Sequence, residues 1–235
     1  MKKLYFILLS SLITLSSISQ TAEDYFKSAD KKSEKEDYYG AIEDYSKAIE
    51  IKPDFAKAYH HRGLTLAFLG GYEDAQTDFN KAIKLNPEYK EAYYNRAKSK
   101  DRLGDVKGAI KDFDKAIQID SMFDRAYNNR GNCKNKLGNI DSAILDYNSA
   151  IQINPNFTEA YYNRGTSMVQ KGEHQKAISD FDKAVRLNSK YADAYYNRAI
   201  SKGILGLIKS ACSDLHKAGE LGIQNAFNLI EKYCN

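Results

Sequence analysis

Histidine, cysteine and paired arginine and aspartate are the residue types in this chain that could do chemistry. The four histidines are His60, His61, His174 and His216. None has a metal-ligand spacing such as HExxH. Two consecutive helical residues point about 100° apart, so His60 and His61 do not converge on one ion. Nucleophile–base pairs, GxSxG and phosphate-cradling loops are absent from the sequence. No metal, no cofactor and no catalysis are therefore expected. The three cysteines are Cys133, Cys212 and Cys234. In an oxidising compartment Cys212 and Cys234 could close a staple between the last two helices, or could stay as thiols that never meet. Cys133 reads as a small buried filler. Lys and Arg total 35 against 31 Asp and Glu, which gives little capacity to neutralise phosphates and argues against nucleic acid.

The remaining chemistry-bearing pair is arginine with aspartate, and it recurs. Arg62, Arg96, Arg130, Arg164 and Arg198 each sit in a phrase such as AYYNRG (160–165), and the phrases repeat every 34 residues. A second column holds Asp44, Asp78, Asp112, Asp146, Asp180 and Asp214. Pairing each arginine with the aspartate of the preceding unit (44–62, 78–96, 112–130, 146–164, 180–198) gives every arginine a partner and leaves only Asp214 over. The expectation is a set of inter-unit ion pairs at stacking interfaces.

The elements that position these residues follow from the period. Six units span 22–55, 56–89, 90–123, 124–157, 158–191 and 192–222. Within each, one helical pattern ends at a glycine (Gly70, Gly104, Gly138, Gly172, Gly206), and a second carries AIxDFxKAI-like spacing, as in Ala109–Ile117. Pro53, Pro87 and Pro155, all the prolines present, stand where second helices stop. Small residues in fixed columns (Ala41, Ala75, Ala109, Ala143, Ala177, Ala211 among them) mark close helix crossings, and Tyr45, Phe79, Phe113, Tyr147 and Phe181 fill between them. The first helix of unit one is fully polar (Asp24, Ser28, Lys31, Lys35) on the face that reads Ala58, Arg62, Thr65, Leu69 in unit two, as a cap with nothing before it would be. Residues 223–235 read as a closing helix, with Phe227, Leu229, Ile230 and Tyr233 over the last open face.

This pattern resembles the tetratricopeptide repeat (TPR) family over about residues 22–222, down to the 34-residue length. The family most often carries leucine where this chain has arginine. The phrase from 217 onward, KAGELGIQNA, is also similar to Sel1-like repeats. The resemblance implies an all-α, right-handed superhelix, an α-solenoid of antiparallel helix pairs, with a concave groove lined by each unit's first helix. It also implies binding of a protein or peptide segment there and no enzymatic activity. On that face lie Tyr94, Asn95, Lys98 and Arg102; Arg125, Asn129, Asn132 and Lys136; Tyr162 and Asn163; and Tyr196 and Asn197. The asparagines form a ladder of amides able to donate to and accept from an extended backbone. The basic middle of the groove suggests an acidic partner, and its ends are greasier (Leu64 and Phe68, Ile200 and Ile204).

Residues 1–19 have two lysines, a short apolar core and small residues near Ser17 and Ser19, the layout of a secretory signal. An uncleaved tether is the alternative. The expected product is an exported protein, periplasmic or extracellular, acting as adaptor or assembly factor through its groove. The competing reading is an envelope scaffold working by self-association.

Overall fold

A computed structural model describes residues 20–234; the signal segment expected over 1–19 lies outside them. Thirteen α-helices and no strands occur among the described residues. In chain order they are α1 Ala22–Glu34, α2 Tyr38–Ile51, α3 Ala56–Phe68, α4 Tyr72–Leu85, α5 Lys90–Arg102, α6 Val106–Ile119, α7 Asp124–Lys136, α8 Ile140–Ile153, α9 Thr158–Gln170, α10 His174–Leu187, α11 Ala192–Ile204, α12 Ile208–Glu220 and α13 Gln224–Tyr233. Each helix packs on the next, and α3, α5, α7, α9 and α11 also touch one another in sequence. The odd-numbered helices are therefore the crowded inner wall of a solenoid, and the even-numbered helices form its outer wall.

Tight turns within units come from one backbone conformation. Gly70, Gly104, Gly138, Gly172 and Gly206 all take φ between 75° and 88°, a left-handed region where a side chain costs about 1–2 kcal/mol. Unit one has Glu36 there, at φ 64°. Glu36→Gly should raise stability by about 0.5–1 kcal/mol, less than the full strain because glycine loosens the unfolded chain. An unchanged urea midpoint would contradict this. Turns between units use side chains instead: Asn86, Asp120, Asn154 and Asn188 each accept through Oδ1 from the backbone N–H two residues on.

The core is a stack of small-on-large contacts. The alanines of the 41 and 48 columns are buried throughout, and Phe79, Phe113, Tyr147 and Phe181 are 0–1 % exposed. A Cβ built on Gly131 would stand 2.7 Å from the Tyr147 ring. At the C-terminal end α13 covers Ala199, Leu215 and Ala218 through Ala226, Leu229 and Ile230. The other two residues expected to close this end do less: Phe227 lies over Gly219, but it and Tyr233 are half exposed. Cys212 and Cys234 are joined as a disulfide, tying α13 to α12, and Cys133 is a buried free thiol.

The expected ion-pair register is overturned. Arg62 pairs with Asp78, Arg96 with Asp112, Arg130 with Asp146, Arg164 with Asp180 and Arg198 with Asp214. All five are pairs within a unit, each a two-pronged contact through Nε and Nη2. The pairs 44–62, 78–96, 112–130, 146–164 and 180–198 do not form. Two positions along a helix turn the side chain by about 200°. On α6, Asp112 thus faces α5 of its own unit, while Asp114 faces α7 of the next. The preceding unit is still reached, by a different atom and partner: Nη1 of Arg62, Arg96, Arg130, Arg164 and Arg198 donates to Ser46, Asn80, Asp114, Asn148 and Asp182. The tyrosine three residues earlier covers each guanidinium, as Tyr127 does at 5.3 Å from Arg130.

Unit one carries Ser28 at the position where the later units carry arginine. Asp44 is not stranded there, because Ser28 donates to it and Lys32 reaches it at 2.7 Å. Burial raises the Asp44 pKa, but Lys32 and Ser28 outweigh it and hold the carboxyl below its ordinary value. Asp24 is exposed, as expected of a cap.

Candidate binding groove

The inner wall is built from two columns one helical turn apart. From unit two to unit six they read Leu64 and Phe68, Lys98 and Arg102, Asn132 and Lys136, Thr166 and Gln170, Ile200 and Ile204. The surface therefore changes from apolar through cationic and amide to apolar again. Seven of the expected groove residues, Lys98, Arg102, Asn129, Asn132, Lys136, Tyr162 and Asn163, line one cavity of about 760 Å³. Lys98 and Arg102 also border a second, of about 540 Å³, together with Asn95, Leu64 and Phe68. Tyr94 and Arg125 share a third, of about 450 Å³, with Asn129 and Glu159. Tyr196 packs against the α12–α13 core instead.

The amide ladder is partly spent on holding the stack together. Asn95, Asn129, Asn163 and Asn197 donate through Nδ2 to His60, the Tyr94 hydroxyl, Asn128 and the Tyr162 hydroxyl, each 35 residues earlier. Asn95 also donates to the Glu91 carbonyl, so both its N–H groups are used and only its oxygen can meet a ligand. Asn129, Asn163 and Asn197 each keep a second N–H and an acceptor. Asn132 already accepts from the Tyr147 hydroxyl.

The cationic middle is smaller than the sequence implied. Lys136 is held by Asp101 at 2.7 Å, an acid the sequence reading passed over although it too stands 35 residues before its partner. Lys98, Arg102 and Arg125 form no ion pair among the described residues. Enclosure in the wall, then the charges of Arg102 and Arg125, push the Lys98 ammonium below its ordinary pKa. An incoming carboxylate would relieve that repulsion. Lys98 Nζ stands over the Tyr94 ring at 5.6 Å. Burial raises the Tyr94 and Tyr162 pKa values, keeping both hydroxyls neutral. No cluster of His, Cys, Asp or Glu suited to a metal occurs among the described residues.

Stacked helix pairs with a concave, largely polar inner wall define a helical-repeat scaffold. Tetratricopeptide repeat models match residues 124–157 and 60–122, and a TPR repeat model matches 30–70 and 167–202. The chain belongs to the tetratricopeptide repeat family, whose members bind protein or peptide partners. It is similar to the crystal structure of MamA at 30% identity, covering 70% of this chain and 96% of that one, with TM-score 0.65. It shares its fold with YrrB, described as a TPR protein with an unusual peptide-binding site (24% identity, 80% and 97% covered, TM-score 0.65). The same holds for PilW, a type IV pilus biogenesis factor (20% identity, 89% and 98% covered, TM-score 0.78). No curated protein matches the chain in sequence.

Proposed function

We propose that this chain is an exported, non-catalytic adaptor or assembly factor that holds an acidic segment of a partner protein along its concave groove. The observation that carries the reading is the unpaired Lys98 and Arg102, which line both of two neighbouring cavities on the inner wall. Unlike the arginines of the 62, 96, 130, 164 and 198 column, each of which is spent on an aspartate of its own unit, these two cations are available to an outside carboxylate. Export rests on the signal-like residues 1–19.

Because Lys98 and Arg102 make no ion pair, reversing them tests binding without unpicking the stack. Lys98→Glu/Arg102→Glu should melt within about 2 °C of wild type, the surface-substitution range. It should also lose the partner that wild type captures from an envelope extract of the source organism. Capture that survives the reversal, with gel filtration showing wild-type self-association, would favour the scaffold reading.

A further inference from the structure

At unit six the two inward columns hold Ile200 and Ile204. With Ile208, Leu215, Leu229 and Tyr233 they enclose an apolar cavity of about 380 Å³ that no charged residue lines. Ile204 is 60% exposed and Tyr233 54%, so much apolar surface stands open at its mouth. Its far wall, Leu229 and Tyr233, comes from α13, which the Cys212–Cys234 disulfide ties in place. The cavity lies on the same two columns as Lys98 and Arg102, three units further along the wall. Adjacent helices pack about 9 Å apart, so three steps span roughly 27 Å, about eight residues of extended chain.

Resting on the groove reading above, we propose that this terminal cavity anchors one bulky aliphatic or aromatic side chain of the same extended segment whose acidic residue lies on Lys98 and Arg102. The recognised segment thus carries an acid and an apolar anchor about eight positions apart. Charge complementarity fixes the first position and continuity of the columns fixes the second. A second copy stacked head to tail is a poorer occupant, because the far end of the array presents Asp24, Lys31 and Lys35, all exposed.

The test is selection of a random 16-residue display library on the full chain, followed by fluorescence polarisation of labelled winners. Winners should combine an Asp or Glu with a Leu, Ile, Phe or Tyr about eight positions away. Ile204→Lys, or Ser in place of that apolar residue, should each weaken binding about ten- to hundredfold, and the two together little more than either alone. Winners that need Lys98 and Arg102 but ignore Ile204→Lys would overturn the anchor and leave the groove reading standing. Winners indifferent to Lys98→Glu/Arg102→Glu, or no winners, would overturn both. A chain that elutes as a dimer, and as a monomer with Ile204→Lys, would give the cavity to a second copy and overturn the anchor.

Discussion

Arg164→Met is expected to cost about 3–5 kcal/mol of stability, and Arg130→Met only about 1–2, although the two arginines occupy the same place in successive units. Asp180 is 7% exposed at its side chain and accepts only from Arg164. Without Arg164 it is a carboxylate buried and alone. Asp146 is equally buried but keeps Lys134 at 2.8 Å, one turn beyond Arg130. The column that supplies this spare lysine holds Lys32, Lys100, Lys134 and Lys202, but Leu66 and Met168 in units two and five. The difference should appear in urea titrations followed by circular dichroism. Adding Asp180→Asn to Arg164→Met should restore part of the loss, since the stranded charge is the main cost. A cycle pairing Arg164 with Asp146 should show far weaker coupling. Equal losses at Arg130 and Arg164 would contradict the assignment of the lysines as second partners.

The second large effect is an acid sensitivity centred on His60. This ring is 5% exposed and occupies the column of Tyr94 and Tyr162. Asn95 uses Nδ2 for both the Glu91 carbonyl and His60 Nε2. A carbonyl can only accept, so the amide orientation is fixed and Nε2 must be the unprotonated nitrogen. Nδ1 then donates to the Tyr89 hydroxyl. Burial first, and the neighbouring His61 second, push the pKa of His60 down to about 4, while the Glu91 backbone works the other way. The unfolded value is about 6.5. Between the two, the unfolded chain binds a proton that the folded chain refuses. The contribution is therefore whole above about pH 6.5 and drains away as pH falls to about 4, reaching roughly 3 kcal/mol. His60→Tyr should keep an Asn95 partner, as Tyr94 does for Asn129, and flatten the pH profile of stability over this range. Parallel profiles for wild type and variant would contradict the account.

Helix pairs, turn glycines and small-residue columns were legible in the sequence because they repeat, and repetition averages out local exceptions. The ion-pair register was not, because a column fixes which residues recur and says nothing of which neighbour each faces. Asp112 and Asp114 lie two positions apart, and that rotation decides which helix each meets. Unit one lacks the arginine, and Lys32 and Ser28 take its place at Asp44. The groove face is legible as a stripe, but nothing in the sequence shows that its asparagines, donors and acceptors toward a ligand, also spend an N–H on the preceding unit. The 35-residue offset linking Asn129 to Tyr94 and Lys136 to Asp101 becomes visible only when residues are compared across units one position out of register.

The central claim, that the inner wall receives a partner segment, is tested most directly by hydrogen exchange of the full chain with and without a selected acidic peptide. Binding as described slows exchange in α5, α7, α9 and α11 and leaves α6, α8 and α10 unchanged. Protection confined to the even-numbered helices, or to α1 alone, would place the partner elsewhere and contradict it.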